Sequence, residues 1–436
     1  MQLDIYNGTA LVGVLDQTEI NRFVFTYLPG TAPGQAISLL MPVRSESWVH
    51  TELHPVFQVS LPEGYLRDAM TKLFSKHFGQ FGETELLATV GANLIGRIRA
   101  TPAGSGLSED LSADSLDKLL ASPKSALLKH YFGERVKFYG VSGAFPKFLS
   151  KSPGQKALNA TLAFDRWIVK IDNDEAPCLS LNEFFGLTAA QRAGLTVPEF
   201  HLSKDGTHLV IKRFDVDESG ERLGFEDLCA LLGLSSAQKY AGSVERVIKT
   251  LRTWCAPAAD LIQARDQFFA QYVLASVLRN GDAHLKNFGL LYQSEKKVWM
   301  APVYDMLSMG IYAPRTQDGD ADDTMALSFN GTKRWLTETA IDDLADACMI
   351  PARRKTEIIA RLGAALRATA ADVERRIKAQ PAFFGVAGCR MLELWAHGAA
   401  SIDAPLSAHL RSRWQRLGKT MPLDAPFPPK RVRQRW

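Results

Sequence analysis

A short loop between two apolar segments holds four polar side chains that could do chemistry: Asp282, His284, Lys286 and Asn287. Asp282 and Asn287 are separated by four residues. This is the spacing at which phosphoryl-transfer sites place an aspartate that orients a hydroxyl nucleophile and an asparagine that binds a metal ion. The spacing alone is also common by chance, because Asn, Gly and Asp are favoured in turns. The crowding of four such groups into one loop favours a catalytic role.

A predicted β-hairpin follows this loop and ends at a second carboxylate. Residues 288–292 and 298–303 are predicted as apolar strands separated by a polar turn. We expect the hairpin to return Asp305 to the side of Asn287. Magnesium favours oxygen ligands, with one or two protein carboxylates and the phosphates of a bound substrate. Asn287 and Asp305 are therefore the predicted metal ligands.

Upstream of the loop, the strand pattern at residues 166–171 places Lys170 on one face and apolar side chains on the other. A lysine in such a strand either has an anionic partner or extends to water from an edge strand, and the pattern leaves both open. The next segment begins a helix in which Ser180 and Glu183 have the form of a capping box. Glu183 is a candidate for capping that helix or for pairing with Lys170, and capping is the favoured interpretation.

Four further patterns complete the body of the chain. Residues 208–215 are predicted as an apolar strand, and residues 138–149 as a glycine-containing turn. That turn would either cover phosphates through its backbone N–H groups or be a plain β-turn, which its spacing favours. Residues 225–232 are predicted as a helix, and a longer helix leads into the loop. The longer helix has predicted core positions at Ile262, Phe269, Val273 and Val277.

The N-terminal residues 1–105 are predicted as a small α+β unit. Alternating apolar residues on both sides of Asn7-Gly8 are a strong hairpin signal. Residues 65–78 are predicted as a helix. The polar segment 101–115 contains Gly, Ser and Pro, which is typical of a linker.

The composition limits the classes of protein that need to be considered. Hydrophobic residues make up 46% of the chain and charged residues 22%, as in ordinary globular proteins. The net charge of +4 (51 basic minus 47 acidic residues) gives no reason to expect a nucleic-acid partner. The five dispersed cysteines indicate neither disulfides nor a zinc site. No membrane span or signal peptide is apparent, so the expected location is cytoplasmic.

Several segments occur in the order and spacing of the HipA family, and together they cover most of the chain. These segments are VSGAFPKF, WIVKID, NEFFGLTAAQRAGLTVP, IKRFD, FEDLCALLG, NGDAHLKNFGLL and PVYDMLS. The chain thus resembles bacterial serine/threonine kinases of toxin–antitoxin systems. The resemblance implies an α+β, protein-kinase-like two-lobed fold. Its expected parts are a β-rich N-terminal subdomain (1–105), a kinase-like ATP-binding lobe (106–218) and a helical C-terminal lobe with the catalytic loop and metal site (219–436).

The resemblance also implies roles for individual residues. Asp282 matches the catalytic aspartate, and Asn287 and Asp305 match the magnesium ligands. His284 and Lys286 match the remaining polar positions of the family loop D-x-H-x-K-N, and both are expected to assist catalysis. The expected ATP-contacting residues are Ser142, Gly143 and Ala144 in the turn and Lys170 at the phosphates. Lys212, Arg213 and Phe214 match the kinase hinge, whose backbone groups would receive adenine.

One departure from the family concerns self-phosphorylation. The position of the serine that a family member phosphorylates on itself is occupied by Gly140 here. Ser142 is the nearest substitute and hence a candidate autophosphorylation site. The alternative is that Ser142 is only a small residue compatible with a tight turn.

The function that these features imply is that of an ATP- and magnesium-dependent serine/threonine protein kinase acting as a toxin. The resemblance implies a translation protein as the substrate, such as an aminoacyl-tRNA synthetase, notably the glutamyl enzyme. It also implies a HipB-like helix-turn-helix antitoxin as partner, so that DNA is contacted only indirectly. Two alternatives stay open: a small-molecule phosphotransferase of related fold, and a non-catalytic regulatory or repressor subunit.

Overall fold

The computed structural model of the chain describes residues 1–19, 21–63, 66–68, 70–72, 74, 81–107, 115–138, 160–163, 166–172, 176–314, 321, 323–421 and 427. Within these residues, no helix is both long and apolar enough to cross a membrane. The described chain forms an N-terminal subdomain, a middle lobe and a C-terminal lobe.

The N-terminal subdomain is a five-stranded antiparallel sheet with short helices. The strand order is β4-β3-β2-β1-β5. Gly8 has a φ of 64° in the turn between β1 and β2, a left-handed conformation that glycine adopts at little cost, so the hairpin predicted at Asn7-Gly8 is present. Described residues between 66 and 74 are helical, within the helix predicted at 65–78. The bounds are β1 Gln2–Asn7, β2 Ala10–Glu19, β3 Arg22–Tyr27, β4 Trp48–His50, β5 Ile98–Pro102, α1 Pro55–Gln58 and α2 Glu83–Val90.

The middle lobe consists of a four-stranded antiparallel sheet with one helix that faces the C-terminal lobe. The sheet order is β6-β7-β9-β8. Val169 and Ile171 of β7 are buried in the same hydrophobic cluster as the N-terminal subdomain. The N-terminal sheet and the middle lobe thus share one core. The bounds are α3 Leu116–Ala121, α4 Lys124–Phe138, β6 Ala160–Ala163, β7 Trp167–Ile171, α5 Leu179–Arg192, β8 Phe200–Leu202 and β9 His208–Lys212.

The C-terminal lobe is mainly helical and carries a three-stranded sheet beside the polar loop. That sheet has the order β10-β11-β12. The strands are β10 Gly224–Asp227, β11 Gly289–Ser294 and β12 Lys297–Met300. The helices are α6 Leu228–Leu231, α7 Val244–Trp254, α8 Ala258–Leu278, α9 Glu338–Ala347, α10 Ala352–Ala379, α11 Pro381–Ala399 and α12 Ala404–Gly418.

Two local predictions for this lobe were wrong. Residues 225–227 are not helical but belong to β10, which pairs with β11 from Gly224 opposite Tyr292 to Asp227 opposite Gly289. Pairing with a strand distant in sequence overrides the local helical pattern. Ile262 of α8 is 60% exposed and is not a core residue, whereas Phe269, Val273 and Val277 are buried.

Two buried polar networks join the N-terminal subdomain to the rest of the protein. Glu226 of β10 accepts hydrogen bonds from the Ser38 hydroxyl (2.7 Å) and the Leu39 N–H (2.8 Å). The second network is centred on Arg213, which forms an ion pair with Asp215 and also donates to the Leu94 carbonyl (2.6 Å). Because buried polar groups need such partners, these networks fix the position of the N-terminal subdomain relative to β10 and the segment after β9.

Candidate active site

The polar loop starts where helix α8 ends. Arg279 terminates the helix in a left-handed conformation, with a φ of 57°. The next residue, Asn280, is buried and holds both sides of the site. Its side chain donates to the Asp305 carbonyl (3.1 Å) and accepts from the Asp282 N–H (3.3 Å). A single asparagine therefore sets the position of two of the predicted functional residues.

The hairpin brings Asp305 beside Asn287, as its length led us to expect. The Asn287 side-chain amide donates to Asp305 Oδ2 at 3.3 Å. Asn287 Oδ1 accepts the His284 N–H (3.0 Å), which closes the short helical turn at residues 285–287. Asp305 has a φ of 51°, a strained conformation for a non-glycine residue that is typical of functional sites.

Lys170 lies between two carboxylates. Its ammonium group donates to Glu183 Oε1 at 2.6 Å and also contacts Asp305 Oδ1. Burial disfavours the charged ammonium, but Asp305 and Glu183 outweigh this and raise the pKa of Lys170 above its ordinary value. The anionic-partner interpretation of Lys170 thus holds, and the edge-strand alternative does not.

The favoured interpretation of Glu183 as a helix cap was wrong. Helix α5 starts at Leu179, one residue before Ser180. The Ser180 N–H donates to Asp172 Oδ1 at 2.6 Å. Glu183 is 2% exposed and faces Lys170. Its second contact is the Asp305 N–H, which donates to Oε1 at 3.2 Å. Glu183 therefore connects the lysine to the predicted metal ligand.

Asp282 is partly exposed and has two aromatic neighbours. The hydroxyl of Tyr240 donates to Asp282 Oδ1 at 2.5 Å. His284 Nε2 lies 3.8 Å from the same oxygen. Burial lowers the pKa of His284, so its ring is neutral at neutral pH. Asp282 is thus held from one side, with its carboxylate charge available to a hydroxyl nucleophile.

Lys286 faces the N-terminal subdomain. Its ammonium group donates to Glu63 Oε1 (2.5 Å) and to the Ser236 hydroxyl (3.1 Å). Lys239 contacts the other oxygen of Glu63 at 3.1 Å. Glu63 thus holds the ammonium of Lys286 at the edge of the site, and the expected part of Lys286 in catalysis stays a prediction.

Of the expected ATP-contacting residues, Ser142, Gly143 and Ala144 lie outside the described residues. Lys212 is exposed and pairs with Glu199 at 3.3 Å. The expected adenine contact of Arg213 is through its backbone, and its guanidinium is fully buried in the junction with the N-terminal subdomain.

Two backbone N–H groups of the expected hinge already form hydrogen bonds within the protein. The N–H groups of Lys212 and Arg213 donate to the carbonyls of Glu199 (2.8 Å) and Arg166 (2.9 Å). Adenine recognition by these two residues would therefore use other groups. The Phe214 ring stacks on Tyr304, with centroids 5.5 Å apart, and so lies next to the residue that precedes Asp305.

The donor atoms of Asn287 and Asp305 suit a magnesium ion. Asp305 offers a carboxylate that is 40% exposed, and a cation is already favourable there because Lys170 binds it. Asn287 adds an amide oxygen, which has a second lone pair besides the one that accepts the His284 N–H. Among the described residues, no group of three or more His, Cys, Asp and Glu residues is placed to hold a metal ion. Two protein oxygens suit a magnesium ion whose other ligands come from a nucleotide or water.

Three residues of the site, Glu63, Lys239 and Tyr240, were missed by sequence reasoning. Glu63 lies just before the helix predicted at residues 65–78, and the residue types around it carry no chemical signal. Its contact with Lys286 joins residues 223 positions apart. A tyrosine outside any motif gives no indication from sequence that it will contact a carboxylate in a distant loop.

Comparison with known proteins identifies relatives of this chain. Two proteins of Sinorhizobium fredii, each named as a putative kinase, are 28% identical to this chain. Putative kinase Y4dM aligns over 307 residues, 67% of this chain and 69% of the relative. Putative kinase Y4mE aligns over 335 residues, 71% of this chain and 78% of the relative.

A solved structure matches nearly the whole chain. It is the Shewanella oneidensis MR-1 toxin–antitoxin complex of HipA, HipB and operator DNA. One of its chains aligns with a TM-score of 0.60 at 16% identity, covering 96% of this chain and 97% of that one. The predicted α+β, two-lobed kinase-like fold is confirmed.

Family models give the same result from sequence. The HipA N-terminal domain matches residues 3–101. The HipA-like C-terminal domain matches residues 139–370, more than half of the chain. This chain therefore belongs to the HipA family.

Proposed function

We propose that this protein is an ATP- and magnesium-dependent kinase that phosphorylates serine or threonine in another protein. The observation that carries the proposal is the convergence of Lys170, Asp305 and Asn287 beside the Asp282 loop. These residues come from β7, the segment after β12 and the loop after α8. The proposal is supported because a cation, two candidate metal ligands and a carboxylate able to orient a hydroxyl lie together, and these are the groups that phosphoryl transfer needs.

Asp282 is the group that meets the substrate hydroxyl. Its carboxylate accepts the hydroxyl hydrogen bond and orients the oxygen towards the phosphate. Phosphoryl transfer needs little covalent help from the protein, because catalysis is mainly positioning and electrostatic stabilisation. The partial exposure of Asp282, with 36% of its side chain accessible, leaves the carboxylate open to a substrate hydroxyl.

Lys170 supplies positive charge for the phosphates of ATP. In the described structure it bridges Glu183 and Asp305. Because Glu183 is buried and fixed in α5, it keeps the ammonium at the site when the Asp305 contact is exchanged for phosphate oxygens. Asp305 and Asn287 would hold the magnesium ion. That ion, when bound, neutralises charge on the phosphates.

The lysine and histidine of the loop have supporting roles in this proposal. The neutral His284 ring packs against the Tyr240 ring and limits the space around Asp282. Lys286 ties the loop to Glu63 and adds positive charge at the rim. Neither residue needs to change its protonation state during transfer.

In its biological setting the kinase would act as a toxin. Kinship supports a translation protein as the substrate, with the glutamyl-tRNA synthetase as the first candidate. A HipB-like antitoxin is the proposed partner, by analogy with the Shewanella complex that contains HipB and operator DNA. DNA would then be contacted through the antitoxin, and the protein would work in the cytoplasm.

The test uses Asp282→Asn and Asp305→Asn with γ-labelled ATP and magnesium. Each change removes a charge with little change in size, so the fold is retained while transfer falls by about two or more orders of magnitude. Asp342→Asn is the matched control, because its carboxylate is exposed and forms an ion pair with Lys355 of helix α10.

The labelled acceptor decides the substrate class. A soluble bacterial extract and a metabolite pool are offered in parallel, and labelled protein is analysed for phosphoserine and phosphothreonine. Label on small molecules alone would indicate a small-molecule phosphotransferase. Equal transfer by wild type and Asp282→Asn would refute the assignment of the site.

A further inference from the structure

Tyr240 contacts the catalytic loop although no motif includes it. It lies after the short helical turn Ser236–Gln238, in the segment between α6 and α7. Its hydroxyl donates to Asp282 Oδ1 at 2.5 Å. Its ring meets the His284 ring edge-on, with centroids 5.1 Å apart and an interplanar angle of 73°. Tyr240 thus touches two residues of the loop at once.

The backbone around Tyr240 is fixed to the same loop. The carbonyl of Lys239 accepts the Leu285 N–H at 3.2 Å. A Cβ on Gly242 would lie 2.6 Å from the Leu285 side chain, so the segment packs tightly against the loop on the other side of Tyr240. On the opposite flank, the ammonium of Lys333 donates to the Tyr240 carbonyl at 3.2 Å. These contacts determine where the hydroxyl lies.

The hydroxyl acts as a donor. Burial raises the pKa of Tyr240 above its ordinary value, and the negative charge of Asp282 raises it further. The phenol therefore stays protonated at neutral pH. A donor fixed on Oδ1 restricts rotation of the carboxylate and leaves Oδ2 for a second hydroxyl.

We propose that Tyr240 is a positioning residue that fixes the Asp282 carboxylate for its contact with the substrate hydroxyl. This inference rests on the kinase function proposed above. The tyrosine does not touch the substrate in this role but acts through Asp282. Catalysis here depends on placing the nucleophile. If the Asp282 carboxylate is free to rotate, the rate of phosphoryl transfer falls, whereas the affinity for ATP is unchanged.

Tyr240→Phe is the test variant, because it removes the hydroxyl and keeps the ring against His284. We expect kcat to fall about 10- to 100-fold, with KM for ATP within about twofold of wild type. Rates are measured as phosphate released from γ-labelled ATP and as label transferred to protein in a bacterial extract.

Tyr272→Phe is the matched control. Tyr272 is buried, and its hydroxyl donates to the Leu327 carbonyl at 3.1 Å. Loss of that hydroxyl is expected to change the melting temperature but not kcat. If Tyr240→Phe behaves in the same way, its role is structural and the inference is wrong.

The remaining outcomes separate this inference from the proposed function. A wild-type kcat in Tyr240→Phe, together with an inactive Asp282→Asn, overturns the positioning role alone. Equal rates in wild type and Asp282→Asn overturn the kinase function and the inference with it. A reduced kcat in Tyr240→Phe, with KM for ATP and melting temperature unchanged, supports both.

Discussion

Replacement of Asp215 by alanine tests whether the junction with the N-terminal subdomain is a main source of stability. Asp215 and Arg213 have side-chain exposures of 1% and 0%. The Asp215 carboxylate accepts hydrogen bonds from Arg213 Nε (3.0 Å), from a terminal nitrogen of Arg213 (2.5 Å) and from the Gly96 N–H (2.7 Å). Asp215→Ala therefore leaves a buried guanidinium without its counter-charge and a buried N–H without its acceptor.

The cost follows from this geometry. Removing one partner of a buried ion pair typically costs about 3–5 kcal/mol of unfolding free energy, because the remaining charge stays buried. With about 2.1 cal/mol/K of unfolding entropy per residue, a 436-residue chain that unfolds as one unit loses about 1 °C per kcal/mol, so the melting temperature is expected to fall by about 3–5 °C. Replacing both residues, as in Arg213→Met with Asp215→Leu, removes both charges and is expected to recover much of this loss.

Differential scanning fluorimetry of the full chain measures the effect. Asp217→Ala is the control, because Asp217 accepts hydrogen bonds only locally, including the Ser219 hydroxyl at 2.6 Å, in an exposed turn. Limited proteolysis then shows whether the N-terminal subdomain separates first. A melting temperature for Asp215→Ala equal to that of Asp217→Ala would refute the reasoning.

Three further predictions concern the site. Lys170→Ala is expected to weaken ATP binding about 10- to 100-fold, the range for losing a hydrogen bond to a charged group, and Lys170→Arg is expected not to restore it fully. Equal affinities by calorimetry would exclude a phosphate contact. Burial opposes ionisation of Glu63, but Lys286 and Lys239 lower its pKa from 4.5 to about 2. Its stabilising effect is therefore complete above pH 4.5 and is lost as the pH falls towards 2. The difference in melting temperature between wild type and Glu63→Gln should shrink over that range, and a constant difference would contradict the ion-pair explanation. Phosphate on Ser142, which would add about −1.5 to −2 charge, is expected in protein incubated with magnesium and ATP. Mass spectrometry should find it missing in Asp282→Asn, and an unmodified Ser142 in active enzyme would exclude self-phosphorylation there.

Much of the site was predictable because its signals are local in sequence. The spacing of Asp282 and Asn287 and the hairpin that returns Asp305 are set within about 25 residues, so alternation and turn chemistry were sufficient to place them together. The hairpin at Asn7-Gly8 was predictable for the same reason. Family membership followed from ordered motifs that extend over most of the chain.

Other assignments depended on contacts between distant segments. Residues 225–227 have a helical pattern but pair with β11, since the strand hydrogen bonds and the close packing of Tyr292 on Gly224 outweigh local propensity. Glu183 has the position of a capping residue, yet the ammonium of Lys170 is the stronger partner for a buried carboxylate. Arg213 lies next to the hinge in sequence, but its side chain turns into the junction.

The sequence by itself determined the family and was sufficient to predict the catalytic loop and the candidate metal-binding pair. Only the tertiary structure decided that Lys170 meets Asp305 across 135 positions, that Glu63 reaches Lys286, and that Tyr240 donates to Asp282. The physical reason is that a charged or polar group takes whichever partner the packing of the lobes brings within hydrogen-bonding distance. That choice depends on the whole fold, and no local pattern of residue types records it.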